Sequence, residues 1–235
     1  MKSLPATTII LALPFLALAL KPLHYPTCAE GFHIVVARDT SESADPGFGA
    51  LDALVQNITA NVTGSDTAAV DYPATSTADR DEYARSLRTG IADLWAKLNA
   101  SIVECPTSRI VLMGYGQGAQ VVGDTLCGSS AFGDETAALN RTWGESVAAV
   151  ILMGDPSHVA DQAWNVGDAT HDGIFPYRNI EQCKWYENRT RSYCDADDIT
   201  CDSGKSTNVH MSYIQNYGKN ATDFVIGKAE IVGVA

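Results

Sequence analysis

The chain has 235 residues, 46% of them hydrophobic, so one globular domain with a sizeable core is expected. Its net charge of −12, with few basic clusters, argues against nucleic acid or anionic membranes as partners. No repeat, low-complexity tract or linker divides it.

In chain order, Lys2 precedes an apolar stretch from Ile9 to Leu20, with small residues at Ala17-Leu18-Ala19. That pattern predicts a cleaved secretory signal over 1–19, because the stretch is too short to span a bilayer. The remainder, 20–235, is expected to be exported and extracellular. Six cysteines (Cys28, Cys105, Cys127, Cys183, Cys194 and Cys201) suit three disulfides in an oxidising compartment. No Cys-x-x-Cys pair occurs, so no metal site is expected. Sequons begin at Asn57, Asn61, Asn99, Asn140, Asn188 and Asn220, a density that suggests a glycosylated protein.

Phe32–Ala37 reads as a short buried strand. Phe48, Leu51, Leu54, Val55 and Ile58 then recur at helical spacing. Thr67–Tyr72 predicts a second strand that stops at Pro73. A long amphipathic helix follows over Asp79–Leu98, capped by Thr77 or Asp79, with Tyr83, Leu87, Ile91, Leu94, Trp95 and Leu98 on its apolar face. Arg109–Met113 is the third strand, followed by a glycine-rich turn and a helix to about Leu126. Val147–Met153 is the fourth strand, Gly173–Tyr177 a weak fifth, and a terminal helix starts near Met211. Strands alternating with helices imply an α/β fold, a parallel sheet covered on both faces. Sites in such folds gather beyond the carboxyl ends of the strands.

The turn Gly114-Tyr115-Gly116-Gln117-Gly118 fits two different machines. Gly114, Gly116 and Ala119 satisfy the dinucleotide pattern G-x-G-x-x-A. That pattern belongs after the first strand, with an acidic residue closing the next strand. Here it follows the third strand, and Asp134 and Glu135 lie in a segment without strand character. Dinucleotide binding is therefore the weakest reading, and no cofactor is expected. The alternative is the nucleophile elbow G-x-S-x-G, matched everywhere except at Gly116. Its usual chain order is nucleophile, acid, histidine. Downstream stand Asp195, Asp197 and Asp198 between Cys194 and Cys201, and then His210. A Cys194–Cys201 bridge would pinch that acidic loop, and His210 could reach both loop and elbow. His33 and His158 are expected to be structural, and Trp95 and Trp143 to pack at the core or its edge.

Several strings together resemble the cutinase and acetylxylan esterase family of fungal secreted serine esterases. They are Ala37-Arg38-Asp39-Thr40, Cys105-Pro106, Arg109 to Tyr115, Gln117-Gly118, Met153-Gly154-Asp155-Pro156, Tyr193-Cys194-Asp195 with Asp198 and Cys201, and His210 with Tyr213 and Tyr217-Gly218. The details are nearer to acetylxylan esterases. The resemblance runs from Cys28 to the end and implies a compact, lidless α/β-hydrolase with a five-stranded parallel sheet. It implies Asp198 as triad acid, His210 as triad base, and Thr40 and Gln117 as the oxyanion hole. It also implies the bridges Cys28–Cys105, Cys127–Cys183 and Cys194–Cys201. Asp168 and Asp202 occupy the places of two further cysteines found in some acetylxylan esterases, which fits one lost disulfide.

The departure is Gly116, where the family's serine is expected. Acyl transfer by this route needs a hydroxyl, a histidine to take its proton and an aspartate to hold the imidazole. Losing the nucleophile of such a triad costs on the order of 10⁶ in turnover, roughly 8 kcal/mol of barrier. Tyr115 is expected to point into packing, and Thr125 and Ser129 to lie a turn or more down the following helix. The leading expectation is thus a pseudoenzyme that binds plant cell-wall polyester or acetylated xylan, or serves as a decoy or accessory protein. It is expected to be a monomer. The alternative is an active carboxylic-ester hydrolase that uses water activated by His210.

Overall fold

The computed structural model describes residues 28–133 and 135–234; the expected signal segment and Asp134 lie outside them. Six strands form one sheet: β1 Phe32–Ala37, β2 Asp66–Ala69, β3 Arg109–Tyr115, β4 Val147–Met153, β5 Asn165–Val166 and β6 Thr190–Tyr193. Their order across the sheet is β2-β1-β3-β4-β6-β5, and every pairing is parallel. Among the described residues seven α-helices accompany them: α1 Asp52–Asn61, α2 Arg80–Glu104, α3 Gln117–Cys127, α4 Arg141–Gly144, α5 Ile180–Cys183, α6 Thr207–His210 and α7 Tyr213–Val232.

Two cores, one on each side of the sheet, follow from the alternation of side chains along a strand. Val35, Leu112, Val150 and Leu152 face Leu87, Leu94, Val121 and Val122 of α2 and α3. Phe32, Ile34, Val36, Val111, Met113 and Ile151 face Leu54 and Ile58 of α1 and Val225 and Ala229 of α7. β4, with all seven residues buried, is a continuous apolar run because both of its faces are covered.

Most of the expected elements are present, with adjusted ends. Asp79 is the N-cap of α2; its side chain accepts hydrogen bonds from the Asp81 and Glu82 N–H groups. The helix continues six residues beyond Leu98 because Ile102 still packs on the core. β2 stops at Ala69, and Asp71 N–H turns to the Asp93 carboxylate of α2 at 2.8 Å. α7 starts at Tyr213, two residues later than the apolar pattern suggested.

The sheet corrects the expected strand count from five to six. Gly173–Tyr177 is not a strand. Its backbone N–H groups at Gly173, Ile174 and Phe175 bond to carbonyls of His158, Thr200 and Pro156, all in loops. Pro176 interrupts this run and offers no donor for a ladder. The edge is built instead by β6 and the two-residue β5, whose sequences TRSY and NV carry too little alternation to stand out.

Register places the site. Ala37 pairs with Gly114, Gly114 with Leu152, and Tyr115 with Met153, so β1, β3 and β4 end at one level. The loops after all three strands therefore open onto one edge, where α3 begins.

Candidate functional site

β3 delivers the chain into a sharp turn at Gly116, with φ 50° and ψ −118°, before α3 starts at Gln117. Gly116 N–H donates to Met153 O at 2.8 Å, and Gly116 O accepts from Gln120 N–H at 3.1 Å. The positive φ favours glycine there. Close approach fixes Gly118, where a Cβ would lie 2.0 Å from Ala37 O. The turn is thus a strand-turn-helix elbow, packed against the end of β1.

Opposite it, the Cys194–Cys201 disulfide closes a short loop that presents Asp198, which is fully buried. Asp198 Oδ1 accepts from the N–H groups of Thr200 at 2.6 Å and Cys201 at 2.9 Å. Its Oδ2 accepts from Tyr213 OH at 2.7 Å and lies 3.0 Å from His210 Nδ1. His210 stands at the end of α6, whose N-cap Ser206 accepts from Val209 N–H. The neighbouring acids point elsewhere: Asp195 accepts from Tyr217 OH, and Asp197 from Lys205 N–H. Of the three candidates, Asp198 alone contacts the imidazole among the described residues.

The other ring nitrogen meets a partner that the sequence reading did not single out. His210 Nε2 lies 3.2 Å from Asp39 Oδ2, and Asp39 Oδ1 accepts from Gln117 N–H at 3.0 Å. Asp39 follows β1 in a loop that is firmly held. Glu42 accepts from Asp39 N–H and Ala50 N–H, each at 2.7 Å. Buried Arg38 donates to Glu42 O and Tyr72 O. Thr40, half-buried, is the next residue in the same loop. A Cβ placed on Gly116 would lie 1.8 Å from Asp39 Oδ1. The space beside the elbow's central residue therefore contains a carboxylate.

The charges reflect this arrangement. Burial opposes a charged imidazole, but its hydrogen bonds to the Asp198 and Asp39 carboxylates override it and raise His210 to about 9. Burial likewise opposes ionised Asp198, but His210 and the N–H groups of Cys201 and Thr200 bring it down to about 2. At neutral pH the imidazole is a cation between two carboxylates.

Of the remaining candidates, Tyr115 packs against the cluster and the others lie away from it. Tyr115 is buried, donates to His210 O and packs edge-on against the imidazole at 5.6 Å between centroids. Thr125 Oγ1 donates to Val121 O within α3, and Ser129 Oγ accepts from Ala131 N–H. His33 pairs with Asp66 across β1 and β2, and His158 is buried, both in structural settings. Trp95 and Trp143 pack together at the core's edge, 5.7 Å between ring centroids. All three expected disulfides are present. Asp168 and Asp202 tie the same loops by hydrogen bonds: Asp168 accepts from Ala196 N–H, and Asp202 from those of Thr170, His171 and Asp197. The six sequon asparagines are exposed. The described residues contain no cluster of His, Cys, Asp and Glu that could hold a metal ion.

An elbow after a central parallel strand, with an Asp from the loop after β6 and a His from α6 beside it, defines an α/β-hydrolase-like protein. A model of the cutinase family matches residues 28–229, and the chain belongs to that family. Acetylxylan esterase 2 of Talaromyces purpureogenus is 30% identical over 226 residues, covering 93% of this chain and 95% of that one. Cutinase 11 of Verticillium dahliae is 32% identical, covering 83% and 68% respectively. A solved acetylxylan esterase superposes with a TM-score of 0.75 at 30% identity, covering 86% of this chain and 99% of its own.

Proposed function

We propose that this chain is a secreted family member that binds carboxylic-ester material of the plant cell wall and does not turn it over at an esterase rate. Acetylated xylan and cutin-like polyester are the ligand classes, by analogy with relatives named acetylxylan esterase and cutinase. One observation carries the reading. Asp198 and His210 keep the geometry of a triad acid and base, yet His210 Nε2 meets the Asp39 carboxylate, and residue 116 has no hydroxyl. Without an oxygen to deprotonate, no acyl-enzyme forms at the elbow. Direct hydrolysis by water that His210 activates needs a neutral imidazole, and with His210 raised to about 9 that form is scarce at pH 7. Secretion draws support from the three disulfides and the exposed sequons.

Two measurements test this. The protein is assayed on short-chain nitrophenyl esters and acetylated xylan at pH 7, with and without a serine-directed phosphonate. It is also co-sedimented with acetylated xylan, deacetylated xylan and cutin. Rates near the uncatalysed background and retention on an esterified polymer are expected. Robust hydrolysis that the phosphonate leaves untouched overturns the impaired-enzyme reading, and equal passage over all three polymers overturns the binding reading.

A further inference from the structure

We propose that Asp39 is a built-in carboxylate ligand of this site: it takes the seat beside residue 116, bonds Gln117 N–H and His210 Nε2, and closes the oxyanion donor to ester carbonyls. This inference rests on assigning Asp198 and His210 as the retained pair. It adds the occupant that the pair now serves.

Three observations converge on it. A side chain starting at residue 116 and the Asp39 carboxylate claim the same volume, since a Cβ there would meet Asp39 Oδ1 at 1.8 Å, Cγ at 2.3 Å and Oδ2 at 2.8 Å. Both oxygens have specific donors: Oδ1 the elbow N–H at 3.0 Å, and Oδ2 the imidazole at 3.2 Å. The loop backbone that carries Asp39 is held in place. Glu42 grips Asp39 N–H and Ala50 N–H, and Arg38 anchors to Glu42 O and Tyr72 O. A backbone N–H and an imidazolium aimed at one carboxylate form a charge-assisted anion site. An ester carbonyl must displace that carboxylate to reach Gln117 N–H, and a neutral acceptor is the weaker competitor.

The chemistry fixes the ligand class. Once Asp39 is shortened, the site takes a small free monocarboxylate, with acetate as the probe. Residues 39 and 116 are coupled, because a side chain at 116 requires the Asp39 carboxylate to leave this seat. The groups facing His210 are Asp198 and Thr200 from the loop after β6, Asp39 from the loop after β1, Tyr115 from β3 and Tyr213 from α7. Asp39 is the only carboxylate among these at Nε2.

The test compares the natural protein with Asp39→Ala, Gly116→Ser and the double variant, each checked for folding by circular dichroism. The His210 ring resonance is titrated by NMR, and phosphonate labelling at residue 116 is followed by mass spectrometry. Asp39→Ala should lower the His210 midpoint by about one unit, since one of two carboxylate partners is removed. Added acetate should raise it again in that variant and leave the natural protein unmoved. Gly116→Ser alone should label about 100-fold more slowly than the double variant, because its hydroxyl has no free seat beside His210. Equal labelling of both serine variants, or an unchanged midpoint in Asp39→Ala, overturns the proposal. So does ester hydrolysis by the natural protein that Asp39→Ala abolishes, which would make Asp39 a working group instead of an occupant. Hydrolysis that survives Asp39→Ala sinks the impaired-enzyme reading alone. If the serine variants fail to fold, Asp39→Asn decides by the midpoint, since it keeps the shape and removes the charge.

Discussion

His210 holds its proton through two carboxylates, and that sets the sign of its contribution to stability. Its folded value of about 9 exceeds the usual 6.5, so the stabilisation is fully present below pH 6.5 and disappears as pH rises through 9. Asp198 behaves oppositely: lowered from 3.8 to about 2, its contribution is present above pH 3.8 and disappears as pH falls through 2. The pair is therefore at full strength between roughly pH 4 and 6.5. Thermal melts of the natural protein and His210→Gln across pH 4 to 10 should show a gap that is widest in this window and narrows toward the alkaline end. A pH-independent gap would contradict the assignment. Asp39 was present in the Ala37-Arg38-Asp39-Thr40 string that carried the family resemblance, yet its role was illegible there. It lies 78 positions from Gln117 and 171 from His210, and only the pairing of β1 with β3, and of β3 through β4 to β6, makes them neighbours.

Between elements, the buried ion cluster that joins α3 to the loops after β4 and before α5 was invisible in sequence. Arg178, 5% exposed at its side chain, donates to Asp124 of α3 at 3.0 Å and to both oxygens of Asp155. Gly123 leaves room for it, since a Cβ there would lie 2.3 Å from the guanidinium carbon. Arg178→Met should destabilise the fold by about 3–5 kcal/mol, because it strands two buried carboxylates without a cation. Urea unfolding with an unchanged m-value would measure this directly. The triple variant Arg178→Met, Asp124→Leu, Asp155→Asn should recover part of the loss, as the charges no longer need a partner. No motif signalled the cluster, because each member is an ordinary charged residue until the chain folds. The strand error near Gly173 has a similar origin. An apolar run such as Gly173 to Tyr177 can fill a loop as readily as a strand, and the ladder itself accepted the more polar TRSY of β6.

For the molecule as a whole, three disulfides bind a single sheet with a core on each face. Cys28–Cys105 joins the chain before β1 to the end of α2 across 77 residues, and Cys127–Cys183 joins α3 to α5 across 56. Both bridges restrict the unfolded chain more than the seven-residue Cys194–Cys201 link, whose role is to shape the Asp198 loop. Replacing Cys28 and Cys105 together by Ala should cost about 2–5 kcal/mol in denaturant unfolding while leaving the His210 titration in place. Replacing Cys194 and Cys201 should cost less stability and disturb that titration more.

The residues alone determined the α/β class, the elbow after the third strand, and an acidic loop followed by His210, with Asp195, Asp197 and Asp198 all open; the family resemblance singled out Asp198. These rest on local patterns: apolar periodicity, glycines where a turn must pass close to backbone, and spacing within one loop. The tertiary structure decided which chemistry the elbow now faces. Parallel strands that end at one level bring Asp39, Gly116 and His210 together, and whether a hydroxyl or a carboxylate fills that space is set by contacts no linear pattern contains.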